Sequence, residues 1–281
     1  MPITSMLAPG LNSTLTGLFG LDETTTLPLL QFEEIPSTNQ MLWEQLAQGD
    51  KPPIAAIAIQ QTAGRGQWGR HWQSEKGGLY LSLALAVDLT LESSPHLTLW
   101  SAWGIAERLR QLEIPVGLKW PNDLVLNHQK LGGIKCETKV LHQQIHQAVI
   151  GVGLNWENPV PPQGIALKSF LASQSSRALG FAAAERIATL EQLLTITLQG
   201  LHLGYTRYQQ QGIESILPGY LEYFINLHQP IAIAGTSGII TGITAQGELK
   251  VQVRSQNAQS EMILPLGAIQ LGYGEPSEVN L

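Results

Sequence analysis

Between two apolar runs, Ile54 to Ile59 and Leu79 to Val87, the chain carries Gly64-Arg65-Gly66-Gln67-Trp68-Gly69-Arg70-His71-Trp72. The first six of these residues spell G-x-G-x-x-G. After a strand, that spacing marks a dinucleotide-binding crossover if a helix follows, because the pyrophosphate rests on the helix N-terminus. Here the next residues are Gln73 to Lys76 and then Gly77-Gly78, which would break a helix at once. Asp88 stands near the distance expected of a ribose-binding acid, with no helix to cross. The interval reads as a loop between neighbouring strands, which argues against a doubly wound nucleotide fold.

A glycine loop with Arg65 and Arg70 suits a different anion. Glycines let backbone N–H groups approach a phosphate, and arginines clamp phosphate or carboxylate with two parallel hydrogen bonds. Trp68 and Trp72 can cover an aromatic base or exclude water. The plainer reading is a surface loop pinned to the core by its tryptophans. The loop alone does not choose between them.

The remaining pattern gives the architecture. Ser37-Thr38-Asn39-Gln40 has the spacing of a capping box, and the helix after it would turn Met41, Leu42, Leu46 and Ala47 inward. Residues 96–112 and 181–210 show helical spacing. Val116 to Trp120, Leu124 to Asn127, Gly133 to Val140 and Gln147 to Val152 read as short strands, the last two joined around Leu141-His142-Gln143-Gln144. From Pro230 the texture changes to short alternating strands with glycine turns, the signature of a small barrel of about five strands. The fold class expected is α+β: a mixed sheet with flanking helices over residues 28–228, then the small barrel over 229–275. Residues 1–27 read as an extended or weakly ordered arm.

Composition bounds the function. Hydrophobic residues make up 43% and charged residues 14%, enough for a large core, and the net charge of -6 does not suit coating a nucleic acid. Cys136 is the single cysteine, so no intrachain disulfide can form. The apolar stretch at residues 78–87 is half of the ~20 residues a membrane span needs, and no signal peptide is read. A cytoplasmic protein without membrane or nucleic-acid partners is expected. His142 and His146 sit in a hairpin turn and read as solvated, and no metal site in the protein is expected.

The second informative stretch is Lys119-Trp120-Pro121-Asn122-Asp123, followed by Lys130-Leu131-Gly132-Gly133-Ile134. Pro-Asn-Asp alone is a turn signal. A second lysine and a Gly-Gly pair beyond it suggest a ligand site. Together with Ser37-Thr38-Asn39, Gln61-Thr62-Ala63-Gly64-Arg65-Gly66, Leu79-Tyr80-Leu81-Ser82 and Gly151-Val152-Gly153-Leu154-Asn155, they form an ordered set that resembles the biotin protein ligases over about residues 30–160.

The resemblance implies an enzyme that uses ATP and Mg²⁺ to make biotinyl-5′-adenylate. It then transfers biotin to a lysine of the biotin carboxyl carrier protein of acetyl-CoA carboxylase. It places Lys130 and Arg65 at the biotin carboxylate and α-phosphate, with Ser37, Thr38, Asn39, Gln61 and Gly64 around biotin. Arg70, Trp72, Lys119, Asn122 and Asn155 fall to ATP or the adenylate. Asp123 either accepts the proton of the attacking lysine or caps its turn. The resemblance makes residues 28–228 the catalytic domain and the barrel over 229–275 an SH3-like module, and the form expected is monofunctional, without a DNA-binding domain. Lipoate or octanoate ligases and transferases share this fold and form the alternative; some use a cysteine, which directs attention to Cys136. A binding regulator that never transfers is the non-enzymatic alternative. Two residues depart from the family pattern: Gln67 stands where a basic residue is common, and Lys135 where an apolar one is usual.

Overall fold

The computed structural model describes residues 15–175, 187–233, 236–255, 258–273 and 277–279. Its main body is a seven-stranded sheet built from β1 (Leu29–Ile35), β2 (Ile54–Gln61), β3 (Leu79–Thr90), β4 (Gly117–Lys119), β5 (Asp123–Leu126), β6 (Gln129–Leu141) and β7 (Gln144–Leu154). The strand order is β1-β2-β3-β7-β6-β5-β4. Only β1 and β2 run parallel, because helix α1 (Thr38–Gln48) crosses between them; every other neighbour pair is antiparallel.

Period-two alternation splits β3 between two faces. Leu79, Leu81, Leu83 and Leu85 join the large core beneath α2 (Ser94–Arg110) and α4 (Leu190–Gln211), while Ala84 joins a smaller cluster beneath α1. α2 and α4 touch through glycines. A Cβ on Gly104 would lie 2.1 Å from the Gly200 carbonyl oxygen, and one on Gly204 would lie 2.2 Å from that of Trp100. Two shorter helices, α3 (Leu167–Ser175) and α5 (Leu217–Tyr223), complete the described helices.

The C-terminal module is a five-stranded sheet of β8 (Pro230–Ile233), β9 (Thr236–Ile243), β10 (Leu249–Ser255), β11 (Ala258–Leu264) and β12 (Ser277–Val279), in the order β11-β10-β9-β8-β12. It is antiparallel apart from β8 and β12. Its apolar face merges with the main core through Ile240, Ile243, Leu249 and Val251, and the Trp120 indole N–H donates to the Gly247 carbonyl at 2.6 Å. The α+β class and the SH3-like module read from the sequence match this arrangement.

Three local expectations are refined or change. Of the two forms open to the N-terminal arm, residues 15–27 take the extended one, packed down: Leu15, Leu18, Phe19 and Leu27 are buried in the main core, and the Phe19 N–H donates to His202 Nδ1 at 3.1 Å. These apolar side chains cover α4, which explains their spacing without a helix or strand period; residues 1–14 lie outside the described residues. Ser37 is the N-cap of α1, yet its side chain makes no capping bond, and the Gln40 amide turns to Glu44 instead of back. Within that helix Leu42 is buried, while Ala47 is exposed. A full capping box does form at Thr189 and Gln192, where α4 begins; residues 181–186 of the expected helix lie outside the described residues.

Candidate active site

On the α1 side of the main sheet lies a cavity of about 110 Å³. Its floor is made of glycines on β6 and β7. Gly133 pairs with Gly153, and Lys135 pairs with Gly151. Each floor glycine leaves room for a polar or aromatic group above it. A Cβ on Gly151 would lie 2.4 Å from Asn39 Oδ1, and one on Gly153 would lie 2.4 Å from Trp72 Nε1; Gly133 faces Asp123 and the Lys130 ammonium.

One end of the cavity is lined largely by uncharged polar groups, with Lys135 beside them. Ser37, Thr38, Asn39 and Gln61 line it. The Thr38 backbone N–H and hydroxyl both donate to Gln61 Oε1, at 2.9 and 3.1 Å. Ser82 Oγ lies 2.7 Å from Thr38 Oγ1 and 2.6 Å from Asn39 Oδ1. The Gln61 amide continues the chain to Ser74 Oγ at 2.8 Å, and Ser74 donates to the Trp72 carbonyl. Ser82, on β3 in the Leu79-Tyr80-Leu81-Ser82 motif, thus links Thr38 and Asn39, a role its sequence context does not signal.

The other end is charged. Asp123, buried at the start of β5, accepts from three groups: Lys130 Nζ at 2.6 Å, Lys119 Nζ at 3.0 Å and Tyr273 Oη at 2.6 Å. Burial pushes the Asp123 carboxyl up, and the two ammonium groups and the hydrogen bonds outweigh it, leaving it below the usual carboxylate range. Burial lowers the Lys119 ammonium's pKa despite its pairing with Asp123. Lys130 is less buried and also sits 5.3 Å from the centre of the Trp72 ring.

The glycine–arginine loop roofs this cavity. It is a two-stranded excursion closed by Trp72 N–H to the Gly64 carbonyl at 3.0 Å and Gly66 N–H to the Arg70 carbonyl at 2.7 Å. A 3-10 turn at Gln67–Gly69 forms its tip, with Trp68 and Gly69 at positive φ. The Gln67 amide reaches the Ile134 carbonyl at 3.4 Å, where Asn122 Nδ2 also donates at 2.9 Å.

A second cavity, of about 340 Å³, opens beyond the charged end. It shares Arg70, His71, Trp72, Asp123 and Lys130 with the first, and adds Asn155, Asn158, Gln270 and Tyr273 among its walls. The two cavities therefore meet at Lys130, Arg70 and Trp72. Trp72 Nε1 is buried there without a hydrogen-bond partner among the described residues.

Of the residues singled out from the sequence, the first cavity gathers Ser37, Thr38, Asn39, Gln61, Arg65, Asn122 and the shared Arg70, Trp72, Asp123 and Lys130. Asn155 lines the second, its amide donating to the Lys130 carbonyl at 3.2 Å. Three placements differ from expectation. Lys119 lines neither cavity and stands behind Asp123, its ammonium 4.2 Å over the Tyr273 ring. Gly64 is buried at the base of the loop, where a Cβ would lie 2.4 Å from Ser74 Oγ and from the Trp72 carbonyl oxygen. Asn122 stands in the first cavity, away from the second. Tyr273 was missed, because nothing near it in the sequence ties it to Asp123.

The smaller polar pocket and the larger one thus share Lys130 in their walls. Residues 31–155 match the profile of the Biotin/lipoate A/B protein ligase family. The bifunctional ligase/repressor BirA of Escherichia coli (strain K12) is 31% identical over 226 residues, which cover 78% of this chain and 67% of that protein. The chain belongs to the biotin/lipoate A/B protein ligase family.

The biotin--[acetyl-CoA-carboxylase] ligase of Mycobacterium tuberculosis is 35% identical over 126 residues, 42% of this chain and 46% of that one. Against several curated relatives the chain spans less than half of the relative's own length. Among solved structures, the biotin protein ligase from Aquifex aeolicus in complex with biotin and ATP superposes with a TM-score of 0.61 at 20% identity, covering 84% of this chain and 95% of that one. That likeness carries the fold.

Proposed function

We propose that this chain is a biotin protein ligase: it activates biotin with ATP and passes it to a lysine of a biotin carboxyl carrier protein. The observation that carries the reading is Lys130, held at 2.6 Å by Asp123 in the wall that the first, polar cavity shares with the second. A carboxylate in the first cavity and a triphosphate in the second would meet at this ammonium. In the first step a biotin carboxylate oxygen bonds to the α-phosphorus, and the bond to pyrophosphate breaks. Two anions must approach each other, so positive groups at the meeting point offset their repulsion and stabilise the charge developing on the α-phosphate. Lys130 and Arg65 are assigned that role, and Arg70 faces the second cavity.

In the second step the uncharged amine of the carrier lysine attacks the acyl carbon, AMP leaves, and the nitrogen loses a proton. Asp123 is assigned to positioning, since its carboxylate is already engaged by Lys130, Lys119 and Tyr273. The loop over the cavity keeps water from the mixed anhydride. Asn155, Asn158 and the unpaired Trp72 indole N–H offer polar contacts for the adenine side.

Magnesium fits this site only as an ion carried by the nucleotide. Among the described residues no group of three or more His, Cys, Asp or Glu could hold a metal, and Asp123, the carboxylate at the junction, is occupied by its cations. Phosphate oxygens and waters would hold it, and it would supply charge neutralisation on the phosphates.

The name of the Mycobacterium relative points to acetyl-CoA carboxylase as the source of the carrier. The rival reading, an acyltransferase working through Cys136, is disfavoured by that thiol. It accepts from Thr98 Oγ1 at 3.5 Å, and burial pushes its pKa up to about 12, so the nucleophilic thiolate is scarce near neutrality. Pyrophosphate release with biotin and ATP, followed by label on a carrier domain, tests the proposal; release without transfer would leave only the activating half.

A further inference from the structure

Lys135 is the one lysine besides Lys130 on the wall of the first cavity, and the proposed reaction does not use it. On β6 it lies two residues beyond Gly133, about 7 Å along the strand from the charged end. It pairs with Gly151, the floor glycine covered by Asn39, and its carbonyl accepts from Asn39 Nδ2 at 3.4 Å. It therefore belongs to the end of the cavity opposite Lys130.

Its ammonium is held there. Lys135 Nζ is 2.9 Å from Glu137 Oε1, and Glu137 Oε2 accepts from the Trp43 indole N–H at 3.0 Å, so helix α1 fixes the carboxylate from above. Burial pushes the Glu137 carboxyl up, and hydrogen bonds from Lys135, Trp43 and Asn39 outweigh it, leaving it below the usual range. Lys135 and Glu137 are both partly buried, with 23% and 30% of their side chains exposed. An ammonium has three donors, and Glu137 takes one.

We propose that Lys135, oriented by Glu137 and Trp43, is a specificity determinant that donates to the polar head of the acyl substrate, here the cyclic urea of biotin, and disfavours acids with a purely aliphatic tail. An alkyl end in this place would strip water from an ammonium–carboxylate pair and return no hydrogen bond, which a site of this kind rejects strongly. The inference rests on the function proposed above and adds to it the group that reads the head of the acid.

The test uses the full chain and measures acid binding by calorimetry together with ATP-dependent pyrophosphate release, for biotin and octanoate. Variants are Lys135→Met, Lys135→Arg, and the charge-neutral pair Lys135→Met with Glu137→Gln, which guards against misfolding from an unpaired Glu137. Wild type should use biotin. Both variants carrying Lys135→Met should bind biotin about 10- to 100-fold more weakly, the weight of one hydrogen bond to a charged group. Their KM for ATP should be unchanged, their octanoate binding should improve, and Lys135→Arg should retain biotin. An active wild type whose two Met variants bind biotin as well as it does overturns the inference and leaves the proposed function standing. A wild type that activates octanoate and not biotin overturns both.

Discussion

Replacing Asp123 by Asn keeps the side-chain shape and removes the charge that binds Lys119, Lys130 and Tyr273. Lys130 is 26% exposed, so water can take over part of its pairing. Lys119 is 4% exposed and has Asp123 as its ion-pair partner. A buried ammonium left without its counter-charge costs about 3–5 kcal/mol. The cost has a ceiling, because the amine can instead shed its proton. Starting from an ordinary lysine pKa of ~10.4, deprotonation at pH 7.4 costs about 4 kcal/mol, and the ceiling falls by about 1.4 kcal/mol for each unit the pH rises. Asp123→Asn should therefore be destabilised by about 3–4 kcal/mol at pH 7.4 and by about half that at pH 8.9. Adding Lys119→Met should recover most of the loss, since an apolar side chain of similar length needs no counter-charge. Urea unfolding followed by circular dichroism at the two pH values reads all three quantities. A loss below about 1 kcal/mol, the level of an exposed pair, or no recovery with Lys119→Met, would refute the reasoning.

Three further outcomes follow from the same geometry. Cys136→Ser should leave acyl activation and transfer within about two-fold of wild type, and the folded protein should resist iodoacetamide at pH 8, because the partly buried thiol's pKa is pushed up to about 12; loss of transfer would make Cys136 the nucleophile. Gln67→Arg should slow adenylate release by adding a cation to the loop over the anhydride, which rapid dilution with labelled biotin would show; unchanged release would remove the loop tip from that role. Burial lowers the pKa of His96 despite opposing contributions from the Ala245 backbone and Glu214, and burial also lowers that of His202. Stability should therefore be full above about pH 6.5, the unfolded value, and be lost as the pH falls through the folded ones. The thermal midpoint should fall between pH 7.5 and 5, by less in His96→Gln; an equal fall would show that His96 does not contribute.

What was legible in the sequence was local. The alternating leucines of β3, the apolar run of β2 and the turn at Leu141 to Gln144 were read from period and turn chemistry, and the two glycines after Lys76 argued against a nucleotide crossover. β1 is not legible, because Glu33 and Glu34 interrupt the apolar pattern of this edge strand. The Ser37 capping box was read and does not form: the Gln40 side chain bonds Glu44, and Ser37 lines the cavity. The charged hub was half legible. Lys119, Asp123 and Lys130 lie close in the chain, whereas Tyr273 arrives from the C-terminal module, 150 residues from Asp123. No spacing rule reaches that far, and only docking of the two sheets through Trp120 and Gly247 brings it in. The place of Lys119 behind Asp123 is not legible for a related reason: closeness in the chain does not say which side chain faces a cavity.

Mass spectrometry of the full chain mixed with ATP and Mg²⁺, with biotin, lipoate or octanoate in separate reactions, shows whether the two cavities that share Lys130 take biotin and ATP. Biotinyl-adenylate and pyrophosphate are expected with biotin alone. An octanoyl or lipoyl adduct, above all one carried on Cys136, would contradict this.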